Sequence, residues 1–248
     1  MKDEGQKMTT GILYGIGVGP GDPELLPLKA ARILGEVERI FTASSTRNDY
    51  SRAMQIVRPH IPAATPIEQL AFPMSKEKAV MAAAWRKHAA RIAAVLEQGV
   101  KAAFLTLGDP LTYSTYGYIL RHLRADWPHL AVRTVPGISA YQAAAAATNR
   151  PLVEGEEALL IVSGVHGGQR LLQMNQRPEN VVFMKAYRHM ESIAAALETA
   201  GMAEGSLAVT NCSREDEQIH SDLHALGRQA PNYWTLIIAK RNGHAPQT

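Results

Sequence analysis

The stretch Tyr14-Gly15-Ile16-Gly17-Val18-Gly19-Pro20-Gly21-Asp22-Pro23-Glu24-Leu25-Leu26 constrains the fold more than any other part of the chain. Residues 12–18 are apolar and rich in branched side chains, which suits a strand buried on both faces of a parallel sheet. Gly15, Gly17, Gly19 and Gly21 admit positive φ and leave no Cβ between the backbone and whatever approaches it. Asp22 is a favourable N-cap and Pro23 a favourable first helical residue. Strand, glycine turn and helix, in that order, is how an α/β protein builds a site at the carboxyl end of a strand. The same residues also suit a tight βα turn that holds no ligand.

The first half of the chain repeats this alternation. Helices are expected over residues 24–36, with the main part starting at Pro27, and over 51–57, 76–98, 115–124 and 140–147. Strands are expected over 39–43, 67–70, 102–107 and 131–135. Val80, Ala83, Ala84, Ile92, Val95 and Leu96 mark the inner side of the long helix. Strand and helix alternating this way predict a parallel sheet covered on both faces. Thr148-Asn149-Arg150-Pro151 breaks the pattern and divides an N-terminal domain, 11–150, from a C-terminal one, 151–242. Beyond it, strands are expected over 158–162, 181–184, 206–210, 218–222 and 233–240, with helices over 168–174 and 190–200. No long helix separates the last two strands, which suggests an α+β second domain with antiparallel strands in a mixed sheet. The fold class is therefore α/β, with two domains.

Composition narrows the function. A chain of 248 residues is long enough for one large or two small domains. It has no apolar run long enough to cross a bilayer. Residues 1–10, MKDEGQKMTT, lack an apolar signal core and read as a tail, so a cytoplasmic protein is expected. The single cysteine, Cys212, excludes an internal disulfide and a cysteine-rich zinc site. His220 and His224 stand four apart without a third ligand, so no metal site is expected. The net charge of +3 comes without a Lys/Arg block or interleaved aromatics. It suits an acidic small molecule better than nucleic acid.

Three glycine-loop chemistries can be tested by spacing. The dinucleotide pattern G-x-G-x-x-G fails, since its third glycine falls on Pro20 when counted from Gly15 and on Asp22 when counted from Gly17. The second strand runs into Ser44-Ser45-Thr46 rather than the acid that would hold a ribose. A Walker loop needs a Gly-Lys pair, and none occurs. The common Rossmann-type S-adenosylmethionine site wants an acid just before its glycines, where this chain has Leu13-Tyr14. Three strand-end turns remain to be explained: Gly19-Pro20-Gly21-Asp22, Gly108-Asp109-Pro110 and Pro136-Gly137-Ile138-Ser139.

These turns, in this order, resemble the tetrapyrrole methylase superfamily, the class III S-adenosylmethionine-dependent methyltransferases. The resemblance covers residues 11–240 and is carried by the run from Val18 to Leu26 and by Leu107-Gly108-Asp109-Pro110. Four stretches resemble the branch that methylates carbon 20 of precorrin-2 or cobalt-precorrin-2 in cobalamin biosynthesis. They are the run from Phe104 to Pro110, Tyr113-Ser114-Thr115, Phe72-Pro73-Met74 and Pro151-Leu152-Val153-Glu154-Gly155. The resemblance implies two α/β domains with a cleft between them, a homodimer, and S-adenosylmethionine held in the cleft. It places cofactor contacts at Pro20, Leu107, Gly108, Asp109, Thr112, Ser139, Ala140, Met184, Cys212, Trp234 and Thr235. In that setting Gly108 lets backbone amides approach an amino-acid tail, and Asp109 either offsets a positive charge or caps its own turn. Met184 serves as contact or core, and Ser139 as contact or helix cap.

No catalytic base is implied. Methylases acting at carbons 2 and 7 carry an acid in the loop after the second strand, and here that loop reads Ser44-Ser45-Thr46-Arg47-Asn48-Asp49. Pro27 also departs from the small or polar residue usual at that helix start. Tyr113, Tyr116, Asp22, Ser44 and Ser45 are candidates for the cleft. Arg47, Arg52 and Arg150 are candidate partners for the eight carboxylates of the substrate. A sister methylase acting at another ring carbon, and a tetrapyrrole-binding module without activity, are the alternatives.

Overall fold

The computed structural model describes residues 10–44, 49–73, 75 and 77–241. They form two compact units that divide between Ser139 and Ala140, each built on its own five-stranded sheet.

The first unit runs β1 (Ile12–Gly17), α1 (Leu28–Leu34), β2 (Arg39–Ser44), α2 (Asp49–Val57), β3 (Ile67–Ala71), α3 (Lys78–Leu96), β4 (Lys101–Thr106), α4 (Tyr116–Asp126) and β5 (Ala131–Val135). Its strands lie in the order β3-β2-β4-β1-β5, and every pairing is parallel. Successive strand residues face opposite sides, as the pleat requires. Leu13, Phe41 and Phe104 meet Ile92 and Leu96 of α3 and Ile119 and Leu123 of α4 on one face. Ile16, Ile40 and Leu105 meet Ile33 and Leu34 of α1 and Ile56 of α2 on the other. This is the doubly covered parallel sheet that the alternation predicts.

Two local expectations change. The helix expected over 24–36 breaks in two: a 3-10 turn, Pro23–Leu25, precedes α1, with Pro27 as the residue before its first turn. Proline has no N–H to give to a continuous helix, so the break falls where it stands. In α3 the expected Ile92, Val95 and Leu96 are buried with Ala89 and Ala93, whereas Val80 and Ala83 are exposed. The 19 residues of α3 extend roughly 28 Å. The six residues of β4 extend only about 20 Å. The first turns of the helix therefore run past the sheet.

The second unit contains α5 (Ala140–Ala147), β6 (Leu159–Ser163), α6 (Gln169–Leu172), β7 (Asn180–Met184), α7 (Met190–Thr199), β8 (Leu207–Thr210), β9 (Gln218–His220), α8 (Leu223–Gly227) and β10 (Thr235–Lys240). Strand order is β6-β7-β10-β8-β9, with β6 and β7 parallel and the other pairs antiparallel. The last strand thus inserts at the centre of a mixed sheet. Val181, Phe183, Ala208 and Ile237 form the core beneath Ile193 and Leu197 of α7. The α5 helix buries Ala143 and Ala144 and packs on β10. Among the described residues, no helix is long and apolar enough to cross a membrane.

Candidate functional site

In the first unit the three strand-end turns are laced together backbone to backbone. The Gly108 amide donates to the Gly19 carbonyl at 2.7 Å, and the two residues form an antiparallel bridge. A Cβ on Gly137 would lie 2.2 Å from the Gly108 carbonyl oxygen, and one on Gly17 would lie 2.5 Å from the Gly137 nitrogen. Glycine is needed at 17 and 137 because one turn leaves no room for a side chain on the next. Gly108 differs: its φ is +71°, and a Cβ there would come no nearer than 3.9 Å to another atom. A side chain there would make only ordinary contacts with Ile138 and Ser139, so glycine is favoured by the left-handed backbone and not by a close neighbour.

Asp109 ties this arrangement together. Its Oδ1 accepts from the Leu111 amide at 2.9 Å and from the Thr112 hydroxyl at 3.3 Å, and its Oδ2 accepts from the Gly137 amide at 3.2 Å. One carboxylate caps the β4 turn and joins it to the β5 turn. Pro20 and Ser139 are buried, and Leu107 packs against the cluster around Ile16. Six of the expected contact residues, Pro20, Leu107, Gly108, Asp109, Thr112 and Ser139, therefore fall in the turns at the carboxyl ends of β1, β4 and β5. That is the edge where open α/β sheets place ligands.

The other five belong to the second unit and surround the start of β10. Met184 ends β7. Two residues on, the Ala186 amide donates to the Thr235 carbonyl at 3.0 Å. The Asn211 amide donates to the Trp234 carbonyl at 3.0 Å, and the neighbouring Cys212 thiol reaches the Ala140 carbonyl at 3.7 Å. Cys212 is buried, and burial pushes its thiol up to about 12, with Glu217 adding to the rise. It is a neutral group at physiological pH. Asn232, which the sequence reading did not single out, holds this corner. Its side chain accepts from the Trp234 amide at 2.9 Å, and its carbonyl accepts from the Thr235 hydroxyl at 2.6 Å. The signal for it was Pro231-Asn232 just before an apolar strand, an asparagine-turn pattern.

The family model of the tetrapyrrole (corrin/porphyrin) methylases matches residues 12–226. The chain belongs to this family. Cobalt-precorrin-2 C(20)-methyltransferase of Salmonella typhimurium is 31% identical to this methylase, over 93% of the chain and 97% of its own length. Precorrin-2 C(20)-methyltransferase of a Sinorhizobium species is 28% identical, over 92% and 94%. Uroporphyrin-III C-methyltransferase of Thermus thermophilus, solved with S-adenosylhomocysteine, has the same fold. Its TM-score is 0.64 at 21% identity, covering 93% of this chain and 97% of that one.

Tetrapyrrole methylases use S-adenosylmethionine, and the chemistry of the two residue sets can be set beside it. The second offers a neutral thiol, a thioether, an indole and backbone groups. The first offers the glycine turn at 108, whose left-handed backbone is held by the Gly19 carbonyl and by Asp109.

Other candidates have structural roles. The Tyr116 ring is fully buried, its hydroxyl shares a 3.0 Å hydrogen bond with the Thr134 hydroxyl, and burial raises its phenol above 10.0. It is core, not a reacting group. The Asp22 carboxylate caps the 3-10 turn by accepting from the Glu24 amide at 2.8 Å. Ser44 ends β2, and its carbonyl accepts from the Phe72 amide. Tyr113 is exposed with φ +50°. The histidines at 220 and 224 contact Thr210 and Glu198 respectively. No cluster of three metal-ligating side chains occurs among the described residues. Residues 1–9, Ser45, Thr46, Arg47, Asn48 and Met74 lie outside the described residues, as does the side chain of Asp49.

Proposed function

We propose that this methylase transfers a methyl group from S-adenosylmethionine to carbon 20 of precorrin-2 or cobalt-precorrin-2, a step of cobalamin biosynthesis. The observation that carries the reading is end-to-end likeness to relatives named for that carbon, 31% and 28% identical over 93% and 92% of the chain.

The cofactor supplies a methyl group on a positively charged sulfur, and the electron-rich macrocycle supplies the attacking carbon. The protein's part is to align the two and keep water away. Pro20, the Leu107-Gly108-Asp109 turn, Thr112 and Ser139 hold one part of the cofactor. Ala140, Met184, Cys212, Trp234 and Thr235 hold another. Asp109 acts by fixing the turn, since its carboxylate is engaged by Leu111, Thr112 and Gly137. The protonated Cys212 contributes contact without offering a thiolate that would compete for the methyl group. We also propose a cytoplasmic homodimer, which the family resemblance supports. A sedimenting mass of 27.0 kDa, that of one chain, would overturn the dimer.

Initial rates on precorrin-2 and on cobalt-precorrin-2, measured without air, test the reaction. Carbon-13-labelled methyl donor and NMR locate the new group. A label on carbon 20 supports the reading, and a label on another carbon points to a sister methylase. Cofactor binding without transfer points to a binding module. No binding at millimolar cofactor removes every methylase reading.

A further inference from the structure

The run Pro151–Gly155 has no part in the cofactor residues above, and it borders a feature of its own. The α5 helix ends in a Schellman turn, in which the Asn149 amide donates to the Ala146 carbonyl at 3.1 Å and the Arg150 amide to the Ala145 carbonyl at 3.0 Å. Asn149 takes the left-handed φ of +50° that this ending requires. Pro151 then bars any further helical turn. The helix end and the irregular run after it line an open groove of about 460 Å³. Ala145, Ala146, Leu152 and Val153 give it apolar lining, and Gln142, Asn149 and Arg150 give it polar groups. Val153 is 45% exposed there, an apolar side chain left in water.

Arg150 is the only charged residue of this lining. Its Nη1 donates to the Gly205 carbonyl at 2.7 Å. A neutral acceptor fixes the direction of the guanidinium without cancelling its charge. Among the described residues no carboxylate pairs with it. Two of the three acids that follow in the chain are engaged elsewhere, Lys240 Nζ holding Glu154 at 2.8 Å and Glu157 at 3.1 Å, and the third, Glu156, is exposed. A half-buried, oriented guanidinium with donors to spare is a site for a carboxylate, which it can bind through two parallel hydrogen bonds.

We infer that this groove binds a carboxylate-bearing side chain of the tetrapyrrole substrate, with the carboxylate on Arg150 and the methylene groups against Leu152 and Val153. The inference rests on the tetrapyrrole reading above. It also accounts for the composition of the Pro151–Gly155 run. Proline ends the helix, and the Lys240–Glu154 pair pins the wall of the groove and keeps that acid away from the incoming carboxylate.

The test uses the whole protein and two variants. Uroporphyrin III, a stable porphyrin with eight carboxylates, serves as the probe, and its fluorescence reports binding. Arg150→Gln should weaken porphyrin affinity about tenfold or more, the usual effect of removing a charge-assisted hydrogen bond. Arg150→Lys should recover part of the loss. In turnover of precorrin-2, Arg150→Gln should raise KM with kcat little changed, and calorimetric affinity for S-adenosylmethionine should stay as in the wild type. Val153→Asp leaves the Gly205 contact intact and places a negative charge on the lip, so it tests the groove even if Arg150→Gln lowers stability. It should also weaken porphyrin binding. Unchanged porphyrin affinity and KM in Arg150→Gln and Val153→Asp, with a wild type that methylates carbon 20, would overturn the groove and leave the function standing. Porphyrin binding that depends on Arg150, in a wild type without turnover, would do the reverse.

Discussion

The ring of Tyr116 occupies the space where a side chain at residue 15 would have to go. A Cβ built on Gly15 lies 2.0 Å from Tyr116 Cζ and 2.4 Å from its hydroxyl oxygen. Strand β1 therefore carries glycine at this position so that α4 can press an aromatic ring against the sheet. The ring is pinned by the Thr134 hydroxyl on β5.

Gly15→Ala should destabilise the protein by about 1–3 kcal/mol, the usual effect of forcing extra volume into a packed core. The ring cannot move aside without losing the Thr134 contact and disturbing Phe104, whose centroid is 5.8 Å away. Thermal melting of the variant checks this. A melting temperature equal to that of the wild type would mean that the ring is free to shift.

Asp109→Asn separates the roles of this side chain. The amide oxygen can still accept from the Leu111 amide, but the amide nitrogen would face the Gly137 N–H, donor against donor. The β4 turn should survive while its link to the β5 turn is lost. Stability should fall by about 1–3 kcal/mol, as for an unsatisfied buried partner. S-adenosylmethionine affinity should fall with it, because the Gly108 turn is no longer held. A variant with normal melting and weaker cofactor binding would instead show that Asp109 acts on the ligand directly.

Strands and most helices were legible in the sequence because the central strands are buried, and burial leaves short apolar runs such as those at 102–105 and 181–183. The glycines of the first turn were legible as a turn but not in their reasons. Gly15 answers to Tyr116, 101 residues away, and Gly17 to Gly137, and no local pattern carries such contacts. The partners of Asp109 divide the same way. Its bonds to Leu111 and Thr112 follow from turn chemistry, whereas the bond to Gly137 depends on β1 lying between β4 and β5. The exposed start of α3 was not legible because an alanine-rich helix has no strong polar face to mark where the sheet ends.

Glu68 gives a stability effect on the acid side. It lies on the edge strand β3 and is bound by Arg91 of α3 through Nε at 2.7 Å and Nη2 at 2.8 Å, and by Arg39 of β2 at 3.2 Å. The Arg91 hydrogen bonds hold its carboxyl below the ordinary 4.5, against a smaller upward push from burial. A carboxyl lowered in the folded state adds stability above its unfolded value and loses it as pH falls through the folded one. Glu68→Gln should therefore cost about 0.5–1 kcal/mol at neutral pH, small because the pair is partly exposed. The difference should shrink below pH 4.5 and vanish once the wild-type carboxyl is protonated. Urea melts of both proteins from neutral to acid pH would show it, and a gap constant with pH would refute the ion-pair account.

Cys212 gives the matching effect on the alkaline side, and a chemical one. Its thiol, ordinarily at 9.0, is pushed up to about 12 by burial. At pH 8 the folded protein then carries roughly one thiolate in ten thousand, and the thiolate is the reactive form. Iodoacetamide should label the native protein very slowly at that pH and the urea-unfolded protein at the rate of a free thiol. Raising the pH should speed native labelling only until the protein opens. The folded state favours the protonated thiol, so its contribution to stability is present below pH 9 and is lost as pH rises towards 12. Cys212→Ser, whose hydroxyl does not titrate in this range, should flatten the fall of melting temperature above pH 9. If S-adenosylmethionine lies against this residue, it should slow native labelling further. Native labelling at the free-thiol rate at pH 8 would show that Cys212 is reachable by solvent and titrates as an ordinary thiol, and would overturn the account of a buried, raised thiol.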